Sequence, residues 1–428
     1  MAIAKSAAIH VLILCFALAY NHAHAGPVAK RKPPASPDIY KHKNVAKDVL
    51  LPGEKVINVN DLGAEPNGKT DCTQAFMDAW RMACHNLTVP ARILIPTGRY
   101  LISSIIFQGP CIAPPPITIQ VLGTVLATTD ISEFENGEWL EFNKIDGLKI
   151  IGGGTFDGQG KQSWEYTENC EKDPDGPACV RNPSSLYFNA VSNVVVQSIR
   201  SVNAKGFHIF VTKSSNVRLR KLKILAPETS PNTDGIHISV SDGVIISRNT
   251  IATGDDCISM IQGVQNIFIN KLKCGPGHGL SIGSLGKYQN EEEVRGVRIQ
   301  NCTLSGTTNG LRIKAWPDRY PGAASEISFS DIIMHDVKNP IIIDQEYECY
   351  PNCKKKPSLV KIENVHFANV RGTTISPIAV ELRCSKLYPC KGVTFRDIDL
   401  KFGEAPTTAR CQNTNPLYNG FLMPPPCV

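Results

Sequence analysis

The sequence predicts an all-β fold, a single-stranded parallel β-helix with a short capping helix at its N-terminal end. Three observations predict it. First, an Asx- or Gly-type residue before an apolar–x–apolar strand recurs at Asn193-Val194, Asn216-Val217, Gly243-Val244, Asn266-Ile267, Gly296-Val297, Glu326-Ile327, Leu359-Val360 and Gly392-Val393, in steps of 23 to 33 residues. A period of that size marks a solenoid. Second, a further strand starts at Gly206, Gly235, Cys257, Gly279, Gly310, Pro340 and Pro377, 12 to 18 residues after each of the first seven markers. Third, five consecutive coils alternate alike there. Their inward pairs are Ile236/Ile238, Ile258/Met260, Leu280/Ile282, Leu311/Ile313 and Ile341/Ile343, a stacked apolar core. A propeller blade is longer, and a leucine-rich horseshoe needs a Leu/Asn pattern that is missing.

The elements follow in chain order. Residues 1–25 read as a secretory signal: Lys5 is the basic start, Val11 to Tyr20 the apolar run, and Ala23-His24-Ala25 a small-x-small cleavage site. No later run reaches the roughly 20 apolar residues of a membrane span. Residues 26–56 hold Lys30-Arg31-Lys32 and Pro33-Pro34 without apolar period, and read as a basic leader or propeptide. A helix follows over 72–85, with Asp71 able to cap it and Ala75, Phe76, Ala79, Trp80 and Ala83 on one face. It would cover the bare strand edges of the first coil. Residues 57–428 then form one domain, because coils add length without a second core.

Composition agrees. The 428 residues are 42% hydrophobic and 20% charged, which excludes a disordered or collagen-like chain. The formal charge of +6 fits an acidic partner. A signal peptide places the chain in an oxidising compartment. The Asn86-Leu87-Thr88 and Asn301-Cys302-Thr303 sequons fit secretion, with Asn86 and Asn301 as glycosylation sites.

Register turns this pattern into geometry. Residues at equal offsets in adjacent coils lie about 4.8 Å apart. Asp234, Asp256 and His278 each precede a second strand, so they are expected to form a ladder, with Asp255 beside Asp256. Outward positions two residues in are His208, His237, Ser259, Ser281 and Arg312; four residues in, they include Ser239 and Lys314. Singly, these segments read as turns or a solvated strand face. Together they put three carboxylates, a histidine and two cations on one side. Three carboxylates so close repel, and at least one pKa is expected to rise. Paired carboxyls with a basic surround suggest hydrolysis of an acidic sugar polymer, one acid protonating the leaving oxygen and one carboxylate activating water. Direct stacking near 5 Å would suit retention, and a longer Asp234–Asp255 diagonal would suit inversion.

At these residues the chain resembles polygalacturonases of glycoside hydrolase family 28. The carriers are Asn232-Thr233-Asp234, Gly254-Asp255-Asp256, Gly277-His278-Gly279 and Arg312-Ile313-Lys314, in this order, supported by Asp61-Leu62-Gly63-Ala64 and by Gly153 to Gly160. The resemblance implies a right-handed, pectin-lyase-like β-helix and an inverting hydrolase of α-1,4-galacturonan. It makes Asp255 the general acid, Asp234 and Asp256 the residues that activate water, and His278 a tuner of the acid. It assigns Asn232, Arg312, Lys314 and Tyr347 to substrate binding. Ser230 to His237 and Ala127 to Asp130 resemble the plant branch and its pollen-type exo-acting members. Residues 161–190 are the longest insertion, a candidate block at one end of the cleft. Exo action is the favoured expectation, with endo action the alternative; a pectate lyase and a non-catalytic wall-binding β-helix are the rivals.

Short loops suggest the pairs Cys170–Cys179, Cys349–Cys353, Cys384–Cys390 and Cys411–Cys427. Cys84–Cys111 is also expected. Cys257 and Cys274 lie on neighbouring coils, and the resemblance supports joining them. Cys72 and Cys302 are left as buried thiols. No Cys-x-x-Cys pair recurs, so no zinc site is expected, nor any other metal or cofactor. The partner is an acidic polysaccharide, neither nucleic acid nor membrane, and the expected state is a secreted, cell-wall monomer.

Overall fold

Strands pair in parallel from one coil to the next along the chain, and this fixes the architecture. The computed structural model describes residues 50–134, 137–167, 182–349 and 356–427. The described residues fall within one unit, His42–Val428. The expected signal, most of the leader, Cys170–Cys179 and Cys353 lie outside the described residues. The first described strand is Lys55–Asn58, so regular structure starts two residues before the expected domain boundary. No helix among the described residues is long and apolar enough to cross a membrane.

The expected core is present. Ile236, Ile258, Leu280, Leu311 and Ile341 stack in register, and all are buried. Aromatic rings reinforce the two ends of the column. Phe107, Phe142 and Phe188 stack at 5.0 Å spacing, and Phe329, Phe367, Phe395 and Tyr418 form a second stack at 5.0–5.6 Å. Parallel register forces equal offsets to superpose, so one aromatic per coil is enough to build such a stack.

The marker residues have a common backbone reason. Asn193, Asn216, Asn266 and Glu326 lie at φ 50–55°, and Gly243, Gly296 and Gly392 at 63–70°. This left-handed region favours Gly and Asn, which is why those types recur. One marker lies five residues later than expected. Val365, not Val360, stacks on Ile327, because Val360 pairs with Gly322 at the start of a longer strand, Val360–Thr374. The true marker is Asn364, at φ 56°.

The helix forms over Thr73–Trp80 and continues as a π-helical turn over Arg81–Asn86. Asp71 accepts hydrogen bonds from the Thr73 N–H and hydroxyl, 2.9 and 2.5 Å. The expected apolar face is buried, and the Trp80 ring meets Phe107 at 5.2 Å, the head of the first aromatic stack. The helix therefore closes the core at that end.

Disulfides join Cys84–Cys111, Cys257–Cys274, Cys384–Cys390 and Cys411–Cys427. Cys349 is also disulfide-bonded. Cys72 and Cys302 are free and buried. Asn86 and Asn301 are exposed.

Candidate active site

Three turns converge before the strands Ile236–Ser239, Asp256–Met260 and Gly279–Leu285. Asn232 is exposed at φ 51°, in the left-handed region that Asn tolerates, and it swings the chain so that Asp234 is buried. The Thr233 hydroxyl ties this turn to the next coil, accepting from the Gly254 N–H at 3.1 Å. Position 254 must be glycine: a Cβ there would lie 1.9 Å from the Ser230 carbonyl oxygen. Gly277 is equally constrained, at φ 127° with the Asp255 carbonyl oxygen 2.4 Å from where a Cβ would stand.

The expected ladder holds for two rungs and changes at the third. Ile236 pairs with Ile258, which puts Asp234 and Asp256 at equal positions in adjacent coils. Ile258 pairs with Leu280, but Asp256 pairs with Gly279 rather than His278. Cys257 is the extra residue of this bulge, and its disulfide to Cys274 secures it. The slip hands His278 to Asp255. The His278 N–H donates to the Asp255 carbonyl, and Nδ1 lies 2.9 Å from Asp255 Oδ1. The spacing in sequence gave no sign of the bulge.

His208 is a second correction. The coil before Asp234 carries two more residues ahead of its strand, so Phe210 pairs with His237. His208 is buried instead, hydrogen-bonded to Ser201, and burial pushes its pKa down to about 3. The outward column is thus Phe210, His237, Ser259, Ser281 and Arg312.

The three carboxyls have three environments. Asp256 is 1% exposed and fully engaged. Its Oδ1 accepts from Ser281 Oγ and Arg312 Nη2, both at 2.7 Å, and its Oδ2 accepts from Lys314 Nζ at 2.9 Å. Burial alone would raise its pKa, but Arg312 and Lys314 bring it well below the usual carboxylate range. Asp234 is buried without a cation of that kind. Burial, then repulsion from Asp255, raises its pKa. The expected rise is present, but burial is its main cause and crowding the lesser one. The Ser259 hydroxyl donates to Asp234 Oδ2 and itself lies 2.6 Å from His237 Nδ1. Asp255 is the accessible member, with 21% of its side chain exposed. Its Oδ1 takes both the Asp256 N–H at 2.7 Å and His278, while no described residue donates to Oδ2. The hydrogen bond to Asp255 raises the His278 pKa.

Arg312 and Lys314 therefore meet Asp256 first. Arg312 Nε is also taken, by Ser281 Oγ at 2.9 Å, which leaves both Nη1 protons, one Nη2 proton and two Lys314 protons for a further anion. The Lys314 ammonium lies 5.3 Å from the Tyr347 ring centroid, so Tyr347 joins the cluster. Asp255, Asp256 and His278 have donor atoms within 4.8 Å of one another, spacing that would suit a metal ion. Of these residues, Asp255 Oδ1, His278 Nδ1 and both Asp256 oxygens already have partners in the cluster.

Sequence reasoning missed the aromatic groups around this cluster. Phe207 stacks on His237 at 4.2 Å, and Phe210 meets His237 edge-on at 4.8 Å. Trp316 packs edge-on against Tyr347 at 5.2 Å. The Trp316 signal was its place two residues after Lys314; Phe207 was hidden by the misread coil. A buried clamped anion, a carboxyl with raised pKa and an accessible carboxyl paired with histidine together supply the groups for acid–base hydrolysis.

Residues 84–420 match the family described as glycosyl hydrolases family 28. A polygalacturonase of Gossypium hirsutum is 46% identical over 371 residues, covering 86% of this chain and 89% of that relative. An exopolygalacturonase of Platanus acerifolia is 44% identical over 372 residues, covering 86% and 97%. Among solved structures, a hyperthermoactive exopolygalacturonase of Thermotoga maritima superposes with a TM-score of 0.68 at 20% identity, covering 85% of this chain and 92% of that one.

Proposed function

The chain belongs to glycosyl hydrolases family 28 and is a polygalacturonase, and from that premise we propose that it hydrolyses the α-1,4-galacturonosyl bonds of polygalacturonate with inversion, working from the chain end. Membership in a hydrolase family disposes of the lyase and of the non-catalytic wall-binding β-helix. The observation that carries the mechanism is the division of labour among the carboxyls. Asp255 Oδ2 has no donor among the described residues and the side chain is partly exposed, so Asp255 delivers the proton to the glycosidic oxygen. Asp234, with Asp256 beside it, takes a proton from the attacking water. Asp256 stays ionised in its clamp and keeps the cluster negative where positive charge develops on the sugar. Arg312 Nη1 and Lys314 bind a substrate carboxylate, and Asn232 and Tyr347 border the cleft. The secretory pattern of residues 1–25 supports action outside the cell, on cell-wall galacturonan.

Exo action is supported by relatives such as the Platanus acerifolia exopolygalacturonase. Chromatography of early polygalacturonate digests tests it. Monogalacturonate as the first product, with slow loss of viscosity, is the expected result. A spread of oligomers with rapid viscosity loss would establish endo action.

The pH dependence follows from His278, which is hydrogen-bonded to Asp255. The hydrogen bond to Asp255 raises the His278 pKa, so His278 keeps its proton to higher pH than a free histidine. Activity is then lost as pH rises through that raised value. The kcat/KM profile is expected to be bell-shaped on the acidic side of neutrality. His278→Asn moves its alkaline limb to lower pH; an unmoved limb would remove His278 from the proton inventory.

A further inference from the structure

We propose that Lys287 and Arg319 form an additional carboxylate subsite, which holds a galacturonosyl unit of the substrate away from the scissile bond. The proposal rests on the polygalacturonase reading. The cationic side of the cleft does not stop at Lys314. From Lys314 a continuous path runs to the Tyr347 ring at 5.3 Å, to Trp316 at 5.2 Å, and from Trp316 to the Arg319 guanidinium at 4.3 Å and the Lys287 ammonium at 5.9 Å. Trp316 is 7% exposed, so its ring is a fixed platform.

Most other half-buried or buried cations with a resolved partner sit on a carboxylate: Arg312 and Lys314 on Asp256, Arg92 on Glu54, Arg383 on Asp344. Lys287 and Arg319 are half-buried, and among the described residues neither forms an ion pair; both lie on aromatic faces instead. A guanidinium stacked on a ring keeps its N–H edge free for a carboxylate fork. The Glu291 carboxylate, the nearest acid in sequence to Lys287 on its loop, is occupied with main chain. It accepts from the N–H groups of Gly286, Lys287 and Tyr288 at 2.6, 2.8 and 2.8 Å.

Those bonds also fix the geometry. The Tyr320 N–H donates to the Gly286 carbonyl and the Trp316 N–H to that of Leu285, so the loops bearing Lys287 and Arg319 are tied together. Two cations held at set positions lose little freedom when they bind an anion. The ligand that suits them is a polymer with one carboxylate per sugar, already anchored at Arg312 and Lys314. Extension of that polymer along the cleft brings another carboxylate to Trp316.

The test is steady-state kinetics of a Lys287→Ala/Arg319→Ala double variant on oligogalacturonates of two to six units. KM is expected to rise about fivefold on the longest oligomer and progressively less on shorter ones, with kcat within about twofold of the parent. The difference should shrink with added salt. Lys287→Arg, which keeps the charge, should restore KM, and Arg319→Gln, which keeps the stem over Trp316, gives a second variant if the alanine form folds poorly. Unchanged KM at every length, or one uniform loss of kcat with a lowered Tm, would overturn the subsite. If the parent enzyme itself leaves polygalacturonate intact, the functional reading fails; if the parent works and the variants match it, only the subsite fails.

Discussion

Replacing Asp255 with Asn lowers kcat on polygalacturonate by about three to four orders of magnitude, while Tm changes little. The size of the effect follows from the chemistry at one oxygen. Without a proton from Asp255, the leaving sugar departs as an alkoxide, and no described residue near Oδ2 offers a replacement proton. The small structural effect follows from the environment. The side chain is 21% exposed, and both of its hydrogen bonds fall on Oδ1, which the Asn carbonyl oxygen can keep. Stability by thermal unfolding and turnover by reducing-sugar assay separate the two. Retained turnover would transfer the acid role away from Asp255; lost turnover with a large fall in Tm would mean the substitution had damaged the fold.

Asp256→Asn has the opposite signature, a loss of stability together with a loss of activity. The substitution keeps shape but leaves the buried Arg312 and Lys314 charges without their counterion. Breaking a buried pair in this way costs about 3–5 kcal/mol. The sign of its pH dependence can be derived. The folded pKa of Asp256 lies below its unfolded value, so the ion pairs contribute their full stability above the unfolded carboxylate range. That contribution is lost as pH falls through the unfolded value towards the folded one. The Tm gap between parent and variant is therefore widest at neutral and mildly acidic pH and narrows in strong acid. A gap that widened in acid, or a variant as stable as the parent at pH 6, would contradict the clamp.

Much of this site was legible in the residues because the fold translates offset into position. Ile236, Ile258 and Leu280 fall at equal offsets in their coils, and with them Asp234 and Asp256. What could not be read was any local departure from that rule. The bulge at Cys257 shifts one residue and exchanges the partner of His278. The extra residues before Ile209 replace His208 with Phe210 in the cleft. Val360 shows the apolar alternation of a marker, whereas the backbone at Asn364 meets the left-handed requirement that defines one. Ion pairing was the other hidden layer. Arg312 and Lys314 were identifiable as cations facing the carboxyls, but their clamp on Asp256 depends on side-chain reach across two coils. The tied loops of Lys287 and Arg319 carry no motif at all.

The stacking of coils also has a kinetic consequence. Each strand's partner lies only one turn of the solenoid away in sequence, a small fraction of the chain, so native contacts can form locally and spread by growth along the axis. Opening runs the same way in reverse, from the ends, where a coil has one neighbour rather than two. The helix Thr73–Trp80 guards one terminus of this growth axis, and the strand Leu417–Met423 stands at the other. Asp234, Asp255, Asp256 and His278 sit in consecutive interior coils, so a molecule frayed at either tip still carries a complete set of reacting groups.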